Sequence, residues 1–152
     1  MPPSPSSVYA AWLAKQGVDR KDFHEEPRWK IGDWAFYTLD GPFLDHPAAV
    51  GPAGVAARES PGGWYALLAL PATDAAPRAA WLLGNPVLLG PTDPVAEGAR
   101  VSAPASESKP PDRVLRFWVA WPPQVADPYR VVIRANADGT ATIEETHWSE
   151  AR

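Results

Sequence analysis

Proline and glycine limit what this chain can fold into before any other feature does. It carries 19 prolines and 11 glycines in 152 residues. Together they make up about a fifth of the chain, below the share that marks disorder but more than long helices tolerate. Short strands joined by many turns are the expected outcome. Of the side chains, 45% are apolar and 21% charged, enough for one globular domain with its own core, expected over residues 7–149. Residues 1–6 read as a flexible arm, because Pro2, Pro3 and Pro5 block regular pairing. Long Pro/Gly-rich loops are expected at 40–62 and 90–112.

The clearest helix runs over 8–16, with Ser6 or Ser7 as its cap and Gly17 as its stop. Val8 with Trp12 and Tyr9 with Leu13 stand four apart, which makes an apolar stripe that must lie on a sheet. Residues 33–39 read as a strand whose two faces both carry bulk, so both should be covered. The unbroken apolar run at 64–70 reads as a buried strand in the middle of the sheet. A second, short helix is expected over 75–83, capped by Asp74 and with Pro77 in its first turn. Short strands are expected at 55–58, 86–89 and, as an edge, 100–103, with a mobile loop at 102–111.

The C-terminal third reads as a meander of strands at 114–121, 129–136 and 140–148. Of the registers open to the last hairpin, a three-residue loop with Gly139 left-handed sets Ile133 opposite Ile143 and Ala135 opposite Ala141. The fold class is therefore α+β and predominantly antiparallel: a curved sheet of five to seven strands with an N-terminal helix and one short second helix. A β-sandwich or barrel is the alternative.

Several chemistries are excluded by composition. No cysteine means no disulfide, no thiolate catalysis and no cysteine-held zinc, and fits a cytoplasmic location. A net charge of -4 gives no pull toward nucleic acid, and no apolar run is long enough to span a bilayer. Asp22, His24, Glu25 and Glu26 are dense in potential ligands but match no metal spacing, so neither a metal nor a cofactor is implied. The glycines at 51, 54, 62 and 63 lack the spacing and the lysine of a phosphate loop.

Two candidate sites follow from the chosen register. One face carries Arg130 and Arg134, with Arg116 and Trp118 from the preceding strand, a surface suited to recognition of a partner. The other face brings Tyr129, Glu145 and His147 to the side meant to be apolar, where His147 could act as a base with Glu145 setting its tautomer. No register brings a serine, a histidine and an aspartate together, so no catalytic residue is assigned. Eight tryptophans in such a chain point to a non-catalytic protein-interaction or assembly module that uses exposed aromatic residues and loops. Its partner would be another protein or a second copy. The alternatives are a small-ligand or enzymatic pocket inside the curved sheet, walled by Trp12, Trp64 and Trp121, and a glycan-binding domain with exposed stacking rings.

Overall fold

The computed structural model describes residues 4–18, 23–39 and 45–151. Helix α1 spans Pro5–Lys15, β1 Trp29–Ile31, β2 Trp34–Tyr37, β3 Ala48–Gly51 and β4 Gly54–Ala56. Helices α2 (Trp64–Leu67) and α3 (Ala72–Leu82) follow, then β5 (Val87–Leu89), β6 (Ala105–Lys109), β7 (Asp112–Ala120), β8 (Tyr129–Asn136) and β9 (Ala141–His147). The class is α+β with antiparallel pairing throughout. The strands divide into two open sheets rather than one, in the order β1-β2-β3-β4 and β5-β7-β8-β9, with β6 paired to β7 beyond β5.

Packing explains the layers. Tyr9, Trp12 and Leu13 of α1 lie on Ala35, Tyr37, Ala48 and Val50 of the first sheet. The opposite face of that sheet, through Trp34, Phe36 and Ala49, meets α2 and α3, which in turn lie on Leu115, Phe117, Val131 and Ile133 of the second sheet. The strand expected at 33–39 is thus covered on both faces. Small side chains on α3, among them Ala75, Ala76, Ala79 and Ala80, are all buried and allow close approach from both sides.

Four expectations are corrected. The first helix begins at Pro5, not Val8, with Ser4 as its cap: the Ser4 hydroxyl accepts from the Ser7 N–H at 3.3 Å, and Pro5 brings a preset φ to the first turn. Of the proposed arm, residues 1–3 lie outside the described residues, while Pro5 and Ser6 are helical. Residues 64–70 form no strand. Trp64, Leu67 and Leu68 are buried while Ala69 is exposed, a spacing of three and four that a helix places on one face, and Leu and Ala favour that choice. Strand β6 lies at 105–109, where a mobile loop was expected, and 100–103 forms no strand; pairing with β7 from Ala105↔Arg116 to Lys109↔Asp112 outweighs the polar composition.

Smaller differences have the same origin. Strand β1 forms shortly after His24, Glu25 and Glu26 because Trp29 and Ile31 can pair with Phe36 and Trp34. Residues 19–22, with Asp22, and residues 40–44 of the first long loop lie outside the described residues. Helix α3 starts at Ala72, so Pro77 stands inside it rather than in its first turn.

The final hairpin has the register read from the sequence, Ile133↔Ile143 and Ala135↔Ala141, with Gly139 at φ 96°. Asp138 closes its loop: the carboxylate accepts from the Thr140 hydroxyl at 2.7 Å and N–H at 2.9 Å. Those bonds, the hydroxyl first, hold its carboxyl below the ordinary value of 3.8. Because the folded value is lowered, the contribution to stability is present above the unfolded value and lost as pH falls through the folded one. Carboxyl NMR titration is expected to place Asp138 below 3.8, and Thr140→Ala to return much of the shift. An unshifted midpoint would contradict the loop geometry.

Candidate functional site

After β4 the chain turns back on itself. Ala57 and Ser60 exchange backbone hydrogen bonds at 3.2 and 3.1 Å, which sets Arg58 and Glu59 at the tip of a tight turn. Gly63 then donates to the Val55 carbonyl at 2.9 Å, and the Trp64 indole N–H donates to the Ala57 carbonyl at 3.0 Å. The turn is thereby fastened to the start of α2. Arg58 leans across to the second sheet, where one guanidinium nitrogen donates to Glu145 Oε1 and to the Leu83 carbonyl at the end of α3, both at 3.0 Å. A cation at a helix C-terminus meets carbonyls left without helical partners.

Between this turn and β9 lies a cleft of about 500 Å³. Its walls are Trp64, Pro61, Ala141 and Ile143, and its charged groups are Arg58, Glu59 and Glu145. Arg58 and Glu59 also border a smaller cleft of about 210 Å³ toward Asp45 and His46, where His46 Nδ1 lies 2.7 Å from Asp45 Oδ1. A further groove of about 530 Å³ runs between α1 and the segment after β4, along Val8, Ala11, Trp12 and Val55, and is mostly apolar. Trp12 donates its indole N–H to the Ser60 hydroxyl at the edge of that groove.

The predicted trio is divided. Tyr129 and His147 meet edge to face with ring centroids 5.1 Å apart, but Glu145 is engaged by Arg58 instead. Residues two apart on a strand are separated by about 7 Å, and the long Arg58 side chain reaches Glu145 first. His147 takes its partners from outside the trio: Nε2 lies 2.6 Å from Asp127 Oδ1 and Nδ1 2.7 Å from Ser149 Oγ. A carboxylate only accepts, so Nε2 carries the hydrogen of the bond to Asp127. Asp127 sets the tautomer that was expected of Glu145.

An aspartate, a histidine and a serine are therefore brought together after all, by a turn at the end of β9 that no strand register describes. Their arrangement favours a latch over catalysis. The Ser149 N–H also points at Nδ1 from 3.3 Å, as in a local turn, and the N–H groups of Glu150 and Ala151 both go to the His147 carbonyl. Neither can hold a developing oxyanion beside Ser149. Trp148 donates to the same Asp127 oxygen at 3.1 Å, so the cluster ties the segment before β8 to the end of β9. His147→Ala is expected to lower stability by about 1–2 kcal/mol, the scale of hydrogen bonds to a charged group on a half-wet site. Ser149→Ala should stay within about 0.5 kcal/mol; equal losses in urea denaturation would contradict this division of roles.

The arginine face does not converge either. Arg116 pairs with Glu107 at 3.3 Å and Arg134 with Asp112 at 3.5 Å, while Arg130 has its Nε buried without a partner. Trp118 is no surface residue: it is buried with Leu89 and Ala120 beneath Val95 and Val101, and donates to the Ser102 hydroxyl at 3.3 Å. More generally, Trp12, Trp34, Trp64, Trp81 and Trp118 are buried and Trp29, Trp121 and Trp148 half-buried, so no tryptophan stands exposed. Among the described residues no tryptophan therefore offers a fully exposed ring for a partner or a glycan. The tryptophan excess serves packing in the layers around α1, α3 and β7.

Among the described residues no group of three or more acidic or histidine side chains is placed to hold a metal ion, and no helix is long and apolar enough to cross a membrane. Compared with known proteins, the chain matches no family model, no curated protein and no solved structure.

Proposed function

We propose that this chain is a non-catalytic binding module whose recognition site is the cleft between the 57–60 turn and β9. The cleft itself is the observation that carries the reading: a mostly polar pocket in which one arginine stands against two glutamates, with Pro61, Ala141 and Ile143 as its apolar wall. Arg58 is already engaged by Glu145, so Glu59 leaves the rim with a surplus negative charge. A ligand with an alkyl stem and a cationic end fits such a place, its stem against Pro61 and Ile143 and its charge near Glu59. A protein partner presenting such a group is the occupant we favour, and the cytoplasm is the location proposed with it, from a chain without cysteine.

The test is charge selection. Nα-acetyl-lysine amide is expected to bind and Nα-acetyl-glutamate amide not to, with affinity falling as salt screens the rim. Glu59→Lys should weaken the lysine probe by about tenfold, or about 1.4 kcal/mol. Glu97→Lys, on an exposed loop outside the cleft, should leave it unchanged. Equal binding of the two probes, or indifference to Glu59→Lys, would remove the reading.

A further inference from the structure

Strand β9 closes one side of the cleft and is also the edge of its sheet, paired only to β8. Its backbone polarity can be read from the two ends of the pair. Asn136 donates to the Thr140 carbonyl at 2.8 Å, and Trp148 donates to the Pro128 carbonyl at 3.1 Å. Antiparallel alternation then turns the N–H and C=O groups of Thr142, Glu144 and Thr146 toward β8 and those of Ala141, Ile143 and Glu145 outward. Farther along, the outward carbonyl of His147 is already occupied by the N–H groups of Glu150 and Ala151, at 2.9 and 3.0 Å. Among the described residues no hydrogen bond falls on the outward N–H of Ile143 or Glu145. The open edge therefore spans Ala141 to Glu145, which is the stretch that borders the cleft.

We infer that this edge receives an extended segment of a partner protein that adds a strand to β9 and drops one lysine or arginine side chain into the cleft. The inference rests on the cleft reading and names its occupant. Main-chain pairing gives such an addition its affinity, and alternate side chains give it specificity. The residue that faces the cleft lies over Pro61 and Ile143, with its charge toward Glu59. Charge decides between occupants. Strand β9 holds Glu144 and Glu145 and no lysine or arginine. A second copy pairing on the same edge would set these carboxylates beside their own counterparts, which like-charge repulsion disfavours. A basic segment of different sequence meets no such penalty.

Amide hydrogen exchange of the full chain tests this with three probes: a short blocked peptide of Thr and Val with one central Lys, the same peptide with Glu at that place, and Nα-acetyl-lysine amide. The Lys peptide is expected to slow exchange at Ile143 and Glu145 by about tenfold and the Glu peptide to leave both unchanged. Glu59→Lys should remove the protection while the chain stays folded. If the Lys peptide protects neither amide, or the two peptides protect alike, the strand-addition inference is overturned. In that event, continued binding of Nα-acetyl-lysine amide leaves the cleft reading standing, and its failure to bind removes both.

Discussion

Trp64→Ala is expected to lower the stability of this protein by about 3–5 kcal/mol, the range for emptying a large buried aromatic site. The ring is buried at the start of α2 among residues of both sheets and of α3, so no single element can collapse into the space it leaves. It also donates to the Ala57 carbonyl at 3.0 Å, the bond that fastens the 57–60 turn to the helix. A chain of this size shifts its melting temperature by about 2–4 °C per kcal/mol, so a fall of roughly 6–20 °C follows. Trp64→Phe keeps most of the volume and loses the bond, and should recover much of the stability but not all. A loss below about 1 kcal/mol for the alanine variant would mean that α2 is not packed as described.

The second large effect lies one residue earlier. A methyl group added at Gly63 would stand 2.7 Å from the Ala56 nitrogen and 2.7 Å from the Val55 carbonyl carbon. Both are backbone atoms of β4 and cannot swing aside as a flexible side chain would. Gly63 has φ -94°, which alanine adopts freely, so the cost of Gly63→Ala comes from this approach and not from backbone conformation. About 1–3 kcal/mol is expected, as for overpacking a close-fitted site. Gly62→Ala is the internal control, since its added methyl meets only the Val55 carbonyl oxygen, at 4.0 Å. It should change stability by less than about 0.5 kcal/mol. Parallel urea denaturation of the two variants reads the difference, and equal losses would contradict the close approach of α2 to β4.

What could be read from the sequence divides by range. The last hairpin was legible because its loop offers few registers and only one sets Ile133 opposite Ile143, so local turn chemistry decided a long pairing. The double cover of β2 was legible because Trp34 and Phe36 alternate with Ala35 and Tyr37. The run from Trp64 to Leu70 was misread because a short apolar stretch is compatible with a buried strand or a helix turn, and only its partners choose. Strand β6 was missed because Ser106, Glu107 and Ser108 carry no strand pattern of their own and are held by β7. The cleft was beyond reach for the same reason at larger scale. Arg58 and Glu145 stand 87 positions apart and meet only because the layered packing brings the turn after β4 and the edge strand β9 together. A signal was present in Arg58 and Glu59, two charges set just before Pro61, Gly62 and Gly63, but it says turn and not partner. Counting tryptophans showed that large rings must be buried somewhere, not whether the burial is in the core or against another molecule.

Where a cationic probe lands decides whether the cleft is the recognition site. A backbone NMR shift map of the full chain with Nα-acetyl-lysine amide is expected to move signals of residues 57–64 and 141–145 together, since these segments share one cleft and are joined by Arg58 and Glu145. Shifts confined to the apolar groove along Val8, Trp12 and Val55, or to the Tyr129 and His147 rim, would place recognition elsewhere and contradict it.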